Sequence, residues 1–300
     1  MTISALIRLT QWQVSKRKLA MRIVKSKGSR GQRGTGPFKY FDPVDNHVLW
    51  PGMDEALYEF THQAHGGMQH KLRNAHSSNS EDALTWSCFD TLKHVPGIAR
   101  REALTDIWEL TFGTRDVPPG VLDGKILIGE PYGNSEDTEV DASIEGDGVL
   151  VFIEAKLNSP MSAADPAREK PHNQIERKLR VGLREAETSR RAFYFILLDI
   201  APLDALRTLA PGVKLEEAMA PRRSKKGDFA KSGFAGKWMT AYWFARYKYG
   251  HKGSLSPLQK LVNEAGYPEL RAKDVAARMG WLTWGDLFKS VLRSTIPRSP

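Results

Sequence analysis

The sequence holds a single cysteine, no apolar run near the length of a membrane span, and no acidic residue before Asp42. Each absence excludes something. Cys88 alone cannot close an internal disulfide, so the fold is not stapled, and the chain suits a reducing, intracellular, cytoplasmic setting. The roughly 20 consecutive apolar residues that cross a bilayer are missing, so no membrane partner is expected. No P-loop, dinucleotide fingerprint or internal repeat is visible, which removes the common nucleotide-binding classes and the solenoids. What remains is ordinary in bulk: 41% hydrophobic and 26% charged residues are the proportions of a globular chain, so wholesale disorder is excluded. Three hundred residues provide one large domain or two small ones with an ample core.

Charge is where the chain departs from the average. The net charge is +9, and it is unevenly spread. Residues 1–41 carry ten Lys/Arg and no acid; residues 42–160 carry eight against twenty-one Asp/Glu; residues 161–300 carry twenty-six against fourteen. An acidic middle between basic ends suits a protein that holds a cation centrally and a polyanion at its edges. Solvated surface charge with a basic tail is the plainer account of the same numbers.

Residues 1–40 read as an N-terminal arm: an amphipathic helix over 3–24, then a Gly/Lys/Arg stretch over 25–38 that cannot build a core. Such an arm contacts phosphates without regard to sequence, or is a disordered extension or an Arg-rich transit peptide. Residues 54–76 read as helix and hold His62, His65, His70 and His76, but without cysteines or finger spacing these favour ordinary polar or core roles over zinc. Residues 78–92 are a second helix, with Ser78 and Glu81 at capping-box spacing and Leu84, Cys88 and Leu92 as an inward stripe. Strands are expected at 103–111 and at 125–129.

The most informative stretch is 138–156, TEVDASIEGDGVLVFIEAK. It reads as a β-hairpin. Val140, Ala142 and Ile144 alternate with Asp141 and Ser143, and Gly146-Asp147-Gly148 supplies the positive-φ positions of a tight turn. The second strand is almost continuously apolar, as a strand buried on both faces should be, yet it ends in Glu154-Ala155-Lys156. With the turn centred on Gly146-Asp147, Ile144 faces Val149 and Asp141 faces Phe152. Asp141, Glu154 and Lys156 then share one face, within a diagonal spacing of about 7–8 Å. Buried charge is costly unless paired or bound to a metal, so packing alone gives no reason for this ending. An Asp141–Lys156 salt bridge is the structural alternative.

Asp141, a twelve-residue gap and then Glu154-Ala155-Lys156 resembles the D…(D/E)-x-K signature of the PD-(D/E)XK, or restriction-endonuclease-like, nucleases. Val140 stands where the family name has proline, a substitution the superfamily tolerates. The resemblance covers about residues 78–200. It implies an α/β fold: an αβββαβ core with a mixed central sheet flanked by helices, over residues 41–202. In that core a helix over 172–187 follows the hairpin, with Ile175, Leu179 and Leu183 as its stripe and Arg177, Lys178, Arg180 and Arg184 on a basic outward face. An apolar strand over 192–200 completes it. The resemblance also implies Mg²⁺, with Mn²⁺ able to substitute, held by Asp141, Glu154 and Glu81. Lys156 would hold the attacking water or stabilise the charged phosphorane, and Gln174 would orient water or lysine.

Beyond residue 202 the resemblance stops, and residues 203–300 read as a mainly helical, basic and aromatic extension. A basic loop carries Arg222, Arg223, Lys225 and Lys226; with Arg177 and Lys178 these are the expected nucleic-acid contacts. Residues 238–249, WMTAYWFARYKY, read as a helix whose aromatics favour core over base stacking. Residues 270–293 read as two short helices joined near Gly280, with a partial likeness to a helix-turn-helix. The function expected is a metal-dependent nuclease acting on nucleic acid, DNA by family habit, of restriction, repair or phage-defence type. A catalytically inactive nucleic-acid-binding module with the same fold is the alternative. Homodimerisation and a further protein partner stay open.

Overall fold

The computed structural model describes residues 47–62, 80–133, 138–157, 172–200, 240, 243–250 and 254–296. The expected arm over 1–40, His65, His70, His76, Ser78, residues 158–171 and the expected basic loop with Arg222, Arg223, Lys225 and Lys226 lie outside these residues. In chain order the elements are helices α1 (Met53–His62), α2 (Glu81–His94), α3 (Gly97–Phe112) and α4 (Pro119–Asp123), then strands β1 (Lys125–Tyr132), β2 (Thr138–Gly146) and β3 (Val149–Ala155). Helix α5 (Gln174–Thr188), strand β4 (Ala192–Asp199), helices α6 (Ser256–Glu264) and α7 (Ala272–Ala277), strand β5 (Met279–Thr283) and helix α8 (Trp284–Thr295) follow. Among the described residues no helix is long and apolar enough to cross a membrane. The chain divides into two compact units, Met1–Ala103 with Phe288–Pro300, and Leu104–Leu287.

In the first unit α2 is buried almost all round, from Ala83 and from Thr85 through Leu92. Its N-cap is Ser80, whose hydroxyl accepts from the Ala83 N–H at 3.1 Å; Glu81 and Asp82 fill the first turn and Lys93 and His94 the last, as the helix dipole favours. Cys88 and Leu92 are buried as their spacing predicts, while Leu84 is only half-buried. Burial pushes the Cys88 thiol far up, so it stays protonated. Trp86 stacks on Phe60 of α1 with ring centres 5.9 Å apart.

The second unit is built on a five-stranded mixed sheet, ordered β1-β2-β3-β4-β5. β1, β2 and β3 pair antiparallel; β3, β4 and β5 pair parallel. All seven residues of the central β3 are buried, which accounts for its unbroken apolar run. On one side Leu150 and Phe152 of β3 and Phe195 of β4 pack with Ile175 and Leu179 of α5, Leu258 of α6, and Phe244 and Tyr247. On the other, Trp108 and Phe112 of α3 meet Tyr194 at 4.9 and 5.7 Å between ring centres. The aromatic stripe at 238–249, where described, is therefore largely core: residues 243–248 are helical, Phe244 and Tyr247 are buried, and Trp243 is half-buried.

Three expectations are corrected. Residues 103–111 are not a strand but part of α3; Leu104, Ile107 and Trp108, all buried, stand at i, i+3 and i+4. Residues near Gly280 do not join two helices. They form β5, which pairs with β4 from Phe195↔Met279 to Asp199↔Thr283. Glycine is required there because a Cβ at position 280 would run into Thr111 and the Phe112 ring of α3. The segment 270–293 is thus helix, strand, helix, and not a helix-turn-helix, and the stretch expected to be a mainly helical extension supplies a strand of the central sheet.

The hairpin turn also differs by one position. Gly146 faces Val149, so Asp147-Gly148 is the two-residue turn, with Gly148 at φ 65°. Moving the turn centre by one residue moves each cross-strand partner by two, so every side chain keeps its expected face. Ser143, not Asp141, lies opposite Phe152, and the pairing ends at Ala142↔Ile153, the residues just inside Asp141 and Glu154.

Candidate active site

The site lies at the C-terminal end of β3, under the first turns of α5, and all its described side chains come from the second unit. Asp141 is half-buried on β2, and its Oδ2 accepts the Ala155 N–H at 2.7 Å. Glu154 is fully buried at 0% exposure and Lys156 is buried at 7%. Lys156 is clamped through its backbone: its N–H donates to the Leu198 carbonyl of β4 at 2.8 Å, and its carbonyl accepts the Trp284 indole N–H at 3.0 Å. Its ammonium reaches Glu154 Oε1 at 3.0 Å. The structural alternative named an Asp141–Lys156 bridge; the ion pair seen here is Glu154–Lys156.

Helix α5 closes the cluster. Asn173 caps it, accepting from the Glu176 N–H at 3.0 Å, so Gln174 is the first helical residue. Gln174 Nε2, expected to orient water or lysine, donates to Glu154 Oε1. One turn on, Lys178 is buried at 2% exposure; its ammonium meets Glu154 Oε2 at 2.9 Å and also donates to the Glu139 carbonyl on β2. Lys178 does not belong to a basic outward face. Neither does Arg180, which is buried and ties α5 to Glu264 of α6 through its carbonyl at 3.3 Å and its carboxylate at 3.8 Å. Arg177 and Arg184 are half-buried. The signal for Lys178 was present: residues four apart on a helix share a face, so a Gln174 aimed at the hairpin brings Lys178 with it.

Two carboxylates and two ammoniums thus meet where water is largely excluded. Burial raises the Asp141 carboxyl, and the negative charge of Glu154 raises it further; Lys156, Lys178 and the Ala155 N–H oppose this without cancelling it. For Glu154 burial also acts upward, but Lys178 and Lys156 outweigh it and hold the group below the ordinary carboxylate range. The pair therefore splits into one group that ionises readily and one that resists. A divalent cation between them would relieve that resistance. Hard oxygens on facing strands suit Mg²⁺, which takes one or two protein carboxylates and completes its shell with water and phosphate oxygens.

Glu81 belongs to the first unit, half-buried in the first turn of α2. Among the described residues no group of three or more His, Cys, Asp or Glu side chains is placed to hold a metal ion. Elsewhere in the second unit, a cavity of about 480 Å³ is lined by Trp243, Arg246, Tyr247 and Lys260, with the Arg246 guanidinium 5.6 Å from the Trp243 ring centre. A scan of protein-family models found no match for the chain, and searches of curated proteins and of solved structures found none either.

Proposed function

We propose that the protein is a metal-dependent nuclease of the PD-(D/E)XK type, hydrolysing phosphodiester bonds at the Asp141–Glu154–Lys156 cluster, with DNA as the favoured substrate. One observation carries the reading: Asp141, just past the last paired residues Ala142 and Ile153, holds the Ala155 N–H between Glu154 and Lys156, and these two pair with each other at the end of a hairpin otherwise built as core. Buried ionic groups are often no better for stability than apolar ones, so their presence calls for a use beyond packing. The sequence of a strand hairpin, a helix bearing Gln174 and a parallel strand agrees with the arrangement expected of this superfamily.

Asp141 and Glu154 would hold the cation, which when bound supplies charge neutralisation at the scissile phosphate. Lys156, whose backbone is held at both its N–H and its carbonyl, would present its ammonium to that phosphate and stabilise its developing charge. Gln174 fixes the Glu154 carboxylate from the helix side. The chain's net charge of +9 favours a polyanionic substrate.

A second reading has its own support. The two oxygens of Glu154 are already met by Lys156 and Lys178, as in a closed structural ion network or a catalytically inactive binding module. Incubating the protein with linear, circular and single-stranded DNA and with RNA, in Mg²⁺, Mn²⁺ or EDTA, beside Lys156→Ala, decides between them. The nuclease reading expects cleavage that EDTA stops and Lys156→Ala slows. Binding without cleavage under every condition supports the inactive module.

A further inference from the structure

Lys178 is the buried charge that the nuclease chemistry leaves without a task. Its ammonium occupies Glu154 Oε2, the oxygen left over once Lys156 and Gln174 have taken Oε1. It also has a second anchor, the Glu139 carbonyl, two residues before Asp141 on β2. The ammonium therefore bridges β3 and β2, touching Glu154 on one and the Glu139 carbonyl on the other.

Charge counting sharpens the conflict. Counted with both carboxylates ionised, as metal binding requires, Asp141 and Glu154 balance Lys156 and Lys178. Adding a dication to all four leaves two uncompensated positive charges in a poorly solvated site, which is costly. One phosphodiester charge removes only half of the excess. If Lys178 withdraws from Glu154, then the dication, Lys156, the two carboxylates and one phosphodiester sum to zero.

The two lysines are not equivalent candidates for withdrawal. Lys156 lies two residues from Glu154 on the same strand line, its backbone held by Leu198 and Trp284, and its ammonium is 3.0 Å from Oε1. Lys178 can release Oε2 and still donate to the Glu139 carbonyl, so leaving does not strand a buried charge without a partner.

We propose that Lys178 is a built-in counter-ion that holds the cation position closed, and that metal binding displaces it from Glu154, leaving it held by the Glu139 carbonyl alone. Substrate assists, because its phosphate charge offsets the arriving dication. The carboxylate that takes the metal is then freed of its competing ammonium, and metal occupancy is tied to nucleic-acid binding. The proposal rests on the nuclease reading for the identity of the cation.

The test is calorimetric Mn²⁺ titration of the full chain as wild type, Lys178→Met, Lys178→Gln, Lys178→Arg and Lys156→Met, with thermal melts in EDTA and in Mn²⁺. Removing the competing charge should tighten Mn²⁺ binding by about tenfold or more in Lys178→Met, since one unit charge a few ångströms from an ion is worth at least that in a weakly screened site. Lys178→Arg, which keeps the charge, should not gain affinity, and Lys156→Met should gain less than Lys178→Met. In EDTA, Lys178→Met should melt below wild type, and Mn²⁺ should raise its melting temperature by more than it raises that of wild type. If Lys178→Met does not fold without metal, Lys178→Gln, whose amide can still donate to the Glu139 carbonyl, carries the same expectation. Mn²⁺ binding in folded Lys178→Met or Lys178→Gln that is equal to or weaker than in wild type overturns the displacement and leaves the nuclease reading standing. No Mn²⁺ binding in wild type or in any variant overturns both.

Discussion

The two ends of β3 are equally buried and chemically opposite. From Val149 to Ile153 every side chain is apolar and packed between helices; Glu154 and Lys156 continue the same strand line with charges that are nearly as inaccessible. Phe152 is held by close packing, with Tyr132 and Phe193 at 4.6 and 5.3 Å between ring centres. Glu154 is held by Lys156, Gln174 and Lys178, three groups brought from two different elements. Burial alone therefore says little about what a residue is for. The apolar end stabilises the fold by being there, whereas the charged end is tolerated only because its partners are complete.

The largest expected effect is at the apolar end. Phe152→Ala should cost about 3–5 kcal/mol, read as a lower denaturation midpoint, because a buried aromatic leaves a cavity that β3 cannot close. The charged end should respond differently to partial and to complete replacement. Glu154→Gln leaves two buried ammoniums without their carboxylate and should cost about 3 kcal/mol or more. Replacing the cluster together, as Asp141→Asn, Glu154→Leu, Lys156→Met and Lys178→Met, should be neutral or stabilising by about 1–4 kcal/mol while all cleavage is lost. Equal costs for the single and the combined changes, measured by urea unfolding, would remove the contrast between the two ends.

A smaller effect tests the far edge of the sheet. Gly280→Ala should cost about 1–3 kcal/mol by crowding Thr111 and Phe112, and thermal melts that match wild type would show that α3 does not cross β5 as described.

The smallest effect is a pH dependence. Asp141 is raised to about 7 by burial and by Glu154, so the folded chain holds a proton there that the unfolded chain, with a carboxyl near about 3.9, has already released. Its contribution to stability is full below about pH 4 and is lost as pH rises through about 7. Glu154, held low, acts the other way, and its contribution is lost as pH falls below the ordinary carboxylate range. In EDTA, melting of Asp141→Asn should fall less than that of wild type between about pH 5 and pH 8, leaving the variant about 2–4 °C more stable at the upper end. Parallel melting curves for the two proteins would contradict the raised carboxyl.

What the sequence made legible follows from period and parity. The hairpin, its faces and the convergence of Asp141, Glu154 and Lys156 depend only on alternation, which survived a turn misplaced by one residue. The α5 stripe of Ile175, Leu179 and Leu183 was legible because helical spacing repeats over three turns. β5 was not, since five residues containing Gly280 carry little local signal and become a strand by pairing with a distant β4. Residues 103–111 misled because threonine, isoleucine and tryptophan favour strands in isolation, whereas their burial pattern in the fold is helical. Lys178 was missed for a different reason: a lysine between two arginines looks like solvated surface until its helical neighbour Gln174 is used to fix the face.

The measurement that bears most directly on the central claim is the single-turnover cleavage rate of Lys156→Ala relative to wild type in Mg²⁺, taken with the Mn²⁺ affinity of each protein. If the cluster is a phosphodiesterase site, the variant should bind Mn²⁺ at least as tightly as wild type and cleave slower by about 10²-fold or more, the scale on which a lost catalytic donor is felt. A destabilised Lys156→Ala, with no metal binding and no cleavage by wild type on any DNA or RNA substrate, would show that Asp141, Glu154 and Lys156 are a structural ion network and no nuclease site.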